Sequence, residues 1–290
     1  MQNTIPCRRA LAVALAIAVL TSLPATAQQV VADGDEQFPP AGDYRTTLPV
    51  VPGDPSGHAF YAINGGRIAP AGQVNLSTEG RGAHAAHAEG AGSAITLQGG
   101  SVLVTGESAA GLSAAAGATV HAVGTQIDAT GRGARGILLN DASAVLDRVG
   151  IRSSGDGIHM NGGALQMRDS HVQLSGQGQH GVYVNGGIAR IQGSQIELDG
   201  AAHRGALATG GAQLDVVSSR ISGTGYTLTG ATAHIGASLQ LNDVDIELEG
   251  DAGTGVSLGG RVDISNSRIT VIGDHGRAVE ASRGELNIDN

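Results

Sequence analysis

Three phrases of the same form follow one another in this chain: Gly136-Ile137-Leu138-Leu139-Asn140, Gly157-Ile158-His159-Met160-Asn161 and Gly181-Val182-Tyr183-Val184-Asn185. Each phrase opens on glycine, continues with apolar residues at alternating positions and ends on asparagine. Such alternation is typical of a short β-strand, and no stretch after residue 27 sustains the 3.6-residue spacing of a helix. The phrases return after 21 and then 24 residues, which indicates a repeat architecture.

The repeat extends beyond these three copies. A second phrase, typified by Ser194-Gln195-Ile196-Glu197-Leu198, recurs in the later part of most copies. We therefore predict two or three short strands in each copy, separated by turns that contain Gly, Asn, Asp and Ser. Glycines that could open a copy follow one another in nine steps averaging about 24 residues. They are Gly57, Gly82, Gly111, Gly136, Gly157, Gly181, Gly205, Gly225, Gly255 and Gly276.

Copies of this size cannot bury an apolar face alone, but stacked copies can, because equivalent strands pair in parallel about 4.8 Å apart. We therefore predict an all-β fold, a right-handed single-stranded parallel β-helix of about ten coils, on the order of 45 Å long. Inward-facing side chains should form columns. One predicted column contains Ile127, Ile151, Val172, Ile196, Ile221, Ile246 and Ile269, and another contains Ile158, Val182, Ala206 and Val256.

Asparagine occupies the same phase of three successive copies, at Asn140, Asn161 and Asn185. Stacked side-chain amides can hydrogen-bond along a column, and asparagine tolerates left-handed backbone angles where a chain must turn. We interpret these residues as a structural ladder. The alternative, that three in-phase amides bind a ligand, stays open.

The N-terminus has the order of a secretory signal peptide, with Arg8 and Arg9 before an apolar run from Ala10 to Leu20 and then Pro24-Ala25-Thr26-Ala27. The apolar run is too short to span a bilayer comfortably. We predict cleavage after residue 27, which also removes Cys7.

Two further regions follow the predicted signal peptide. Residues 28–56, rich in Pro, Gly and Asp, are expected to form mainly an irregular lead-in, although fragments such as Tyr44 to Val51 could add a strand or a cap. Residues 57–290 are expected to form the β-helix. Cleavage changes the formal net charge from −9 to −11, which argues against nucleic acid and anionic membranes as partners. Glycine supplies 47 of 290 residues and aromatic residues only 2%, which favours a narrow aliphatic interior over a core built on large rings.

Residues that could carry chemistry are few. Asp245, Glu247 and Asp263 alternate with apolar residues, as is typical of a solvated strand face, although a calcium-binding role for them stays open. His84 and His87 have a His-x-x-His spacing that indicates a metal pair when it lies on a helix. The surrounding residues 80–92 instead predict a Gly/Ala-rich loop, so we predict no metal or other cofactor.

Other features point to exposed edges and loops. His180, His203 and His275 each precede an opening glycine and are expected along one edge of the rod as solvated turn residues. The long intervals after Gly82 and Gly225 predict loop insertions near His84–Ala91 and Thr232–Ser238, which would be candidate binding surfaces. If the first is a loop, its deletion should leave the β-structure intact.

The run Gly131-Arg132-Gly133-Ala134-Arg135-Gly136-Ile137-Leu138-Leu139-Asn140, with Ala144-Val145-Leu146 and Ile151-Arg152-Ser153-Ser154-Gly155 after it, resembles the early coils of pertactin-like autotransporter passenger domains. The resemblance covers roughly residue 57 to the end. It implies a β-helix displayed on the surface of a Gram-negative bacterium, often an adhesin or virulence factor, whose partner is a host-cell or matrix surface.

Two features of that family are missing from the sequence, the C-terminal translocator barrel and an Arg-Gly-Asp tripeptide. We expect the translocator in a longer full-length protein, which would make this chain a C-terminally incomplete passenger; a chain ending at Asn290 would be periplasmic. We predict a surface-displayed or secreted, non-enzymatic adhesive scaffold. The alternative is a β-helical polysaccharide lyase or glycoside hydrolase acting on acidic glycans, which requires paired carboxylates or a calcium site.

Overall fold

The computed structural model describes residues 29–51 and 55–289, and this part of the chain forms strands and turns without a helix. None of its segments is therefore a helix long and apolar enough to cross a bilayer. The strands pair in parallel with their equivalents in the neighbouring turns, so the predicted all-β parallel β-helix is confirmed. The predicted signal peptide lies outside the described residues.

The strands form three parallel walls. Wall one contains β1 (Val30–Asp33), β4 (Phe60–Ile63), β7 (Ala86–Glu89), β10 (Ala110–Ala115), the first parts of β13 (Arg135–Asp147) and β15 (Ile158–Arg168), β17 (His180–Asn185), β21 (Arg204–Thr209), β24 (Thr229–Ala233), β27 (Thr254–Leu258) and β30 (Arg277–Ala281). Wall two contains β2 (Glu36–Gln37), β5 (Arg67–Ile68), β8 (Ala94–Gln98), β11 (Thr119–Val123), the second parts of β13 and β15, β18 (Ile188–Gln192), β22 (Gln213–Val217), β25 (Ser238–Asn242), β28 (Arg261–Ser265) and β31 (Glu285–Asp289). Wall three contains β3 (Gly42–Thr46), β6 (Val74–Thr78), β9 (Ser101–Val104), β12 (Gln126–Ala129), β14 (Gly150–Ser153), β16 (His171–Leu174), β19 (Gln195–Leu198), β23 (Arg220–Tyr226), β26 (Asp245–Glu249) and β29 (Arg268–Ile272), while the short β20 (Gly200–Ala201) pairs with β23.

The predicted isoleucine and valine column lies in register on wall three, one residue for each turn from β12 to β29. Its members are buried except Ile269, in the last strand of that wall, which is partly buried. The second predicted column lies in wall one, and register inserts Ala231 between Ala206 and Val256. Aliphatic stacks of this kind supply the dry interior that the low aromatic content indicated.

A column of small residues in wall one faces the isoleucine and valine column. A Cβ added to any of its seven glycines would lie 2.2–2.5 Å from a methyl group of the facing column, so these turns have no room for a larger residue. The seven are Gly111, Gly136, Gly157, Gly181, Gly205, Gly230 and Gly255.

Four of the glycines predicted to open a copy do not lie in the small-residue column of wall one, so their assignment is wrong. The residues that continue the small-residue column are Ala59, Ala85, Gly230 and Ala278, in place of Gly57, Gly82, Gly225 and Gly276. Three of these positions hold alanine, so they cannot be recognised in the sequence when glycine is taken as the mark of each copy. The nine steps nevertheless remain, since they lead in register from Phe60 to Val279.

The region expected as an irregular lead-in differs from that expectation. Residues 30–46 form β1, β2 and β3, which pair in parallel with β4, β5 and β6. Tyr44 is buried against Phe60, with ring centroids 4.9 Å apart. These residues therefore add one turn before residue 57, and the Pro39-Pro40 pair lies in a bend between two short strands.

The expected loop at His84–Ala91 is also wrong. Half of this segment is β7 (Ala86–Glu89), whose Ala86 and Ala88 are fully buried, because small alanines fill the narrow interior here. In the segment Thr232–Ser238 only residues 234–237 lie outside β24 and β25, and they expose Ile235. Deletion of His84–Ala91 would thus remove a strand of wall one.

Candidate functional site

The outer face of wall three carries three clefts, which we call the wall-three groove. One lies over β12, β14 and β16, and the other two lie side by side over β19, β23 and β26. The clefts have volumes of about 330, 450 and 350 Å³. Two of them share Arg220, and His171 in the remaining one is in register with Gln195 in its neighbour. The polar and charged side chains that line the groove include Gln126, Asp128, Arg152, His171, Gln173, Gln195, Glu197, Asp199, Arg220, Asp245, Glu247, Glu249 and Arg268.

Outward side chains in this groove contact each other between successive turns. Arg152 donates from Nε and Nη2 to Oε1 of Gln173, at 3.2 and 3.1 Å. Arg220 lies 3.7 Å from a carboxylate oxygen of Asp245 and donates to Glu247. Since these side chains are 37–46% exposed, the ion pairs contribute little to stability and remain open to a ligand.

The structure does not bring the three calcium candidates together. Asp245 and Glu247 lie on wall three beside Arg220. Asp263 lies on wall two, where its carboxylate accepts hydrogen bonds from Arg261 and Asn287. Among residues 29–51 and 55–289, no group of three or more His, Cys, Asp or Glu side chains is arranged to hold a metal ion.

Asn140, Asn161 and Asn185 form an amide ladder at the end of wall one. The Nδ2 of Asn161 donates to Oδ1 of Asn140 at 3.0 Å, and that of Asn185 to Asn161 at 3.3 Å. The left-handed backbone angles fall on the following residues, Asp141 and the glycines at 162 and 186, with φ of 49°, 73° and 76°. The asparagines thus bond along the rod while their neighbours make the bend.

A second set of polar side chains lies on wall one. There, a side chain near the start of a strand contacts the side chain three residues earlier in the chain, on the other side of a bend. His58, Tyr61, His84 and His87 form the N-terminal histidine cluster. The ring centroid of His58 lies 5.3 Å from that of His84 and 4.9 Å from that of His87. Tyr61 stacks on His87 at 5.6 Å and donates its hydroxyl to Glu89 at 3.2 Å. Burial, followed by the carboxylate of Glu89, raises the pKa of Tyr61 to about 12.

Backbone groups contact Nδ1 of two of these histidines, and they fix the ring proton of one of them. The backbone N–H of His84 donates to Nδ1 of His58 at 3.1 Å, and that of Ala110 donates to Nδ1 of His84 at 3.0 Å. An accepting Nδ1 carries no proton, so the neutral ring of His84 is protonated at Nε2. Nδ1 of His58 also lies 3.3 Å from the carbonyl oxygen of His84, so this atom has both a backbone donor and a backbone acceptor within reach. Burial lowers the pKa of His58 and of His87 to about 4, and it lowers the pKa of His84 well below its ordinary range.

Three turns further along wall one, Asp156, His159, His180 and Tyr183 form what we call the Asp156 cluster. Asp156 is 7% exposed, and its two carboxylate oxygens bind different imidazoles. Oδ2 lies 2.7 Å from Nδ1 of His159, and Oδ1 lies 2.8 Å from Nδ1 of His180 and 2.9 Å from the His180 backbone nitrogen. Tyr183 stacks on His159 with centroids 4.6 Å apart and contacts His180 at 5.3 Å.

The carboxylate of Asp156 fixes the opposite ring form. Burial by itself would raise the pKa of Asp156, but the hydrogen bonds from His159 and His180 hold it well below its usual range. An ionised carboxylate only accepts hydrogen bonds, so both Nδ1 atoms carry the donated proton. In the neutral rings the Nε2 lone pairs are then free. Sequence reasoning missed this cluster, because its members meet only across a bend and between adjacent turns.

His180, His203 and His275 lie at or just before the start of the wall-one strands β17, β21 and β30, but they differ in exposure. His203 is fully buried, and its Nδ1 accepts a hydrogen bond from the Gln179 backbone at 3.2 Å. His180 is in register with Arg204 rather than with His203, and His275 lies in an exposed turn. The three histidines therefore share an edge as expected, but the expectation that they are solvated turn residues is wrong for His203, which is buried, and for His180, which lies in β17.

Comparisons with known proteins add the following. No protein-family model matches the chain, and no curated protein matches it. Similar solved structures include the catalytic domain of a GH87 alpha-1,3-glucanase, with 11% identity and a TM-score of 0.36 over 92% of this chain and 69% of that chain. PfbA, a surface adhesin of Streptococcus pneumoniae, has 8% identity and a TM-score of 0.24 over 86% of each chain. A hyper-glycosylated TibA fragment has 16% identity and a TM-score of 0.21 over 84% of this chain and 99% of that one. These neighbours are β-helical, and likenesses at 8–16% identity assign this chain neither a family nor an activity.

Proposed function

We propose that this protein is a binding rod whose wall-three groove takes an extended polar ligand, and that the ligand is a glycan chain on a host-cell or matrix surface. The supporting observation is the set of clefts from Gln126 to Arg268. Six register steps separate these residues, which corresponds to about 29 Å of groove at the usual strand spacing. A linear polymer fits a shallow groove of this length.

The chemistry of the groove supports a glycan in particular. Guanidinium and amide N–H groups donate hydrogen bonds, while carboxylate and amide oxygens accept them. Both kinds of group alternate along the groove, at Arg152, Gln173, Glu197 and Arg220 for example. A sugar hydroxyl both donates and accepts, so successive sugar rings would find partners turn after turn. Several weak contacts on one rod combine into useful avidity.

Export and display are part of the same proposal. The signal-peptide pattern of residues 1–27 supports export through the inner membrane, and the resemblance to pertactin-like passengers supports display at the cell surface. Protease treatment of intact cells tests this: we expect the rod to be digested from the outside. Protection of the protein until the outer membrane is permeabilised would contradict display.

Glycan binding is tested on a glycan array with the purified chain and two charge variants. Arg220→Gln removes a guanidinium from the groove, whereas Arg261→Gln removes one from wall two, where Arg261 pairs with Asp263. We expect the first variant to lose about 1.5–3 kcal/mol of binding free energy, the usual value of a hydrogen bond to a charged group, and the second to bind as the wild type does. Equal binding by both variants would contradict the groove as the site.

Glycan cleavage is the second candidate, and one observation favours it. Glu197, Asp199, Glu247 and Glu249 line the same cleft, and glycoside hydrolysis uses a pair of carboxylates. Incubation of the chain with polygalacturonate, with and without calcium, tests this alternative. Reducing-sugar release that disappears in Glu247→Gln would replace the binding proposal with an enzymatic one.

A further inference from the structure

Two columns of outward side chains line the part of the wall-three groove that lies over β19, β23 and β26. In one column Glu197, Ser222 and Glu247 follow one another in register, so a hydroxyl lies between two carboxylates. The strands that carry the two glutamates are roughly 10 Å apart, since adjacent turns are about 4.8 Å apart. In the other column Thr224 is in register with Glu249. On these strands both columns carry only negative charge.

Arg220, the arginine that lines this cleft, is already paired with carboxylates of the protein. It lies 3.7 Å from a carboxylate oxygen of Asp245 and donates a hydrogen bond to Glu247. Asp245 is in register with Arg220 on one side and with Arg268 on the other. An anionic ligand would therefore have to displace a carboxylate of the protein before it could form an ion pair with Arg220.

The charge of the whole groove has the same sign. Seven carboxylates and three arginines line its clefts, which gives a formal net charge of −4 with His171 neutral. His171 lies 3.3 Å from a carboxylate oxygen of Glu197. Over β12, β14 and β16 the lining has one carboxylate, Asp128, and its Arg152 bonds to the neutral amide of Gln173. A groove of net negative charge repels an anionic ligand, and here the repulsion is strongest over β19, β23 and β26.

Hydrogen-bond chemistry adds a second requirement. An ionised carboxylate only accepts hydrogen bonds, so a ligand group that contacts Glu197, Glu247 or Glu249 must be a donor. A sugar hydroxyl is a donor, whereas an ionised carboxylate or a sulfate ester on a sugar is not. Like charges that face each other across an interface are strongly unfavourable and exclude wrong partners.

We propose that the wall-three groove selects glycans that carry hydroxyl groups but no acidic groups, with Glu197, Glu247 and Glu249 as the residues that determine this specificity. This inference rests on the proposed function, because it names the class of glycan that the groove takes. Chains that contain sialic acid, uronic acid or sulfate are excluded. The three glutamates act as the repulsive element that discrimination between similar ligands requires.

The test is a glycan array that carries each core structure both without and with an acidic group. We expect the full chain to bind the uncharged member of a pair at least about 10-fold more tightly than the acidic member. This ratio should be larger at about 20 mM than at about 500 mM salt, because salt screens repulsion between exposed charges. A ratio near one, or a ratio that salt does not change, would overturn the inference.

A double variant locates the effect in the groove. Glu197→Gln with Glu249→Gln removes two negative charges at accessible side chains and should bring the ratio close to one. The matched control, Asp215→Asn with Glu280→Gln, removes two charges from walls two and one and should keep the wild-type ratio. An unchanged ratio in the groove variant, or the same change in the control, would contradict the assignment of specificity. Absence of binding to any glycan would contradict the glycan function itself, whereas binding without discrimination would contradict this inference alone.

Discussion

The N-terminal histidine cluster and the Asp156 cluster are built on the same two columns of the rod, three turns apart, and they use imidazole in opposite ways. In the first, neutral rings stack and accept backbone hydrogen bonds between turns. In the second, the rings donate to a buried carboxylate that joins two turns. The difference shows that the partner of Nδ1, rather than position in the fold, decides what a stacked histidine can do.

The largest expected effect comes from breaking the Asp156 cluster directly. Asp156→Ala leaves three donors without an acceptor, the Nδ1–H groups of His159 and His180 and the His180 backbone N–H. Each buried donor left without an acceptor typically costs about 1–3 kcal/mol, so the three together should give the largest loss of stability. Urea unfolding followed by circular dichroism should show this loss. Asp263→Ala, which breaks an exposed pair with Arg261, should cost no more than about 1 kcal/mol.

A smaller but still large effect is expected at the small residue next to each cluster. Gly157 follows Asp156, and a Cβ there would lie 2.3 Å from Cγ1 of Val172 and 2.6 Å from the Gly181 carbonyl oxygen. Gly157→Ala should therefore destabilise the chain by about 2–3 kcal/mol through overpacking. At the equivalent position beside the N-terminal cluster the chain already has Ala85, and Ala85→Gly should cost only about 1 kcal/mol. Equal melting temperatures for the two variants would refute the packing argument.

Acid should affect the N-terminal histidine cluster at a pH that leaves a carboxylate such as Asp156 charged. Because the pKa of His58 and of His87 is about 4 in the folded chain and about 6.5 in the unfolded chain, the unfolded state binds more protons between these values. Stability present above pH ~6.5 is thus lost as pH falls towards 4, by up to about 3 kcal/mol for each of these two histidines.

His87→Phe keeps the stacked ring and removes one titrating group, so it isolates this effect. Unfolding of the variant and of the wild type should be compared at pH 7 and pH 4.5. We expect the wild type to lose more stability than the variant over this interval. Identical losses would show that the buried imidazole does not titrate as its environment requires.

The smallest expected effect is at the neutral ladder on the same strands. Asn161 lies on β15 two residues after His159 and bonds to Asn140 and Asn185 through its amide. Asn161→Ala should cost about 1 kcal/mol, the usual net value of neutral hydrogen bonds at an accessible site. If Asn161→Ala lowers the free energy of unfolding as much as Asp156→Ala does, the Asp156 cluster stabilises the contact between turns no more than the asparagine ladder does.

Much of this fold could be predicted, because alternation of apolar and polar residues indicates strands and stacking of the repeat copies brings equivalent strands into register. The isoleucine and valine column and the in-phase asparagines follow from those two facts alone. The strand at His84–Ala91 could not be recognised in this way, since its interior positions are alanines, which carry little strand preference. The turn at residues 30–46 was concealed by short strands and prolines.

Neither histidine cluster could be derived from the repeat. Each depends on contacts between a strand residue and one three positions earlier, around a bend whose geometry the spacing does not specify. The sequence also does not show which atom Nδ1 meets, and that contact separates the two clusters. The wall-three groove could be predicted only in part. The sequence showed acidic residues alternating with apolar ones, but it did not show which arginines contact them.

The most direct test of this contrast is a ¹⁵N NMR measurement of the imidazole protonation states at neutral pH. The structure requires a neutral His84 with the proton on Nε2, and it requires Nδ1 to be protonated in both His159 and His180. The same ring form in the two clusters, or a proton on Nε2 alone in His159 and His180, would contradict the account.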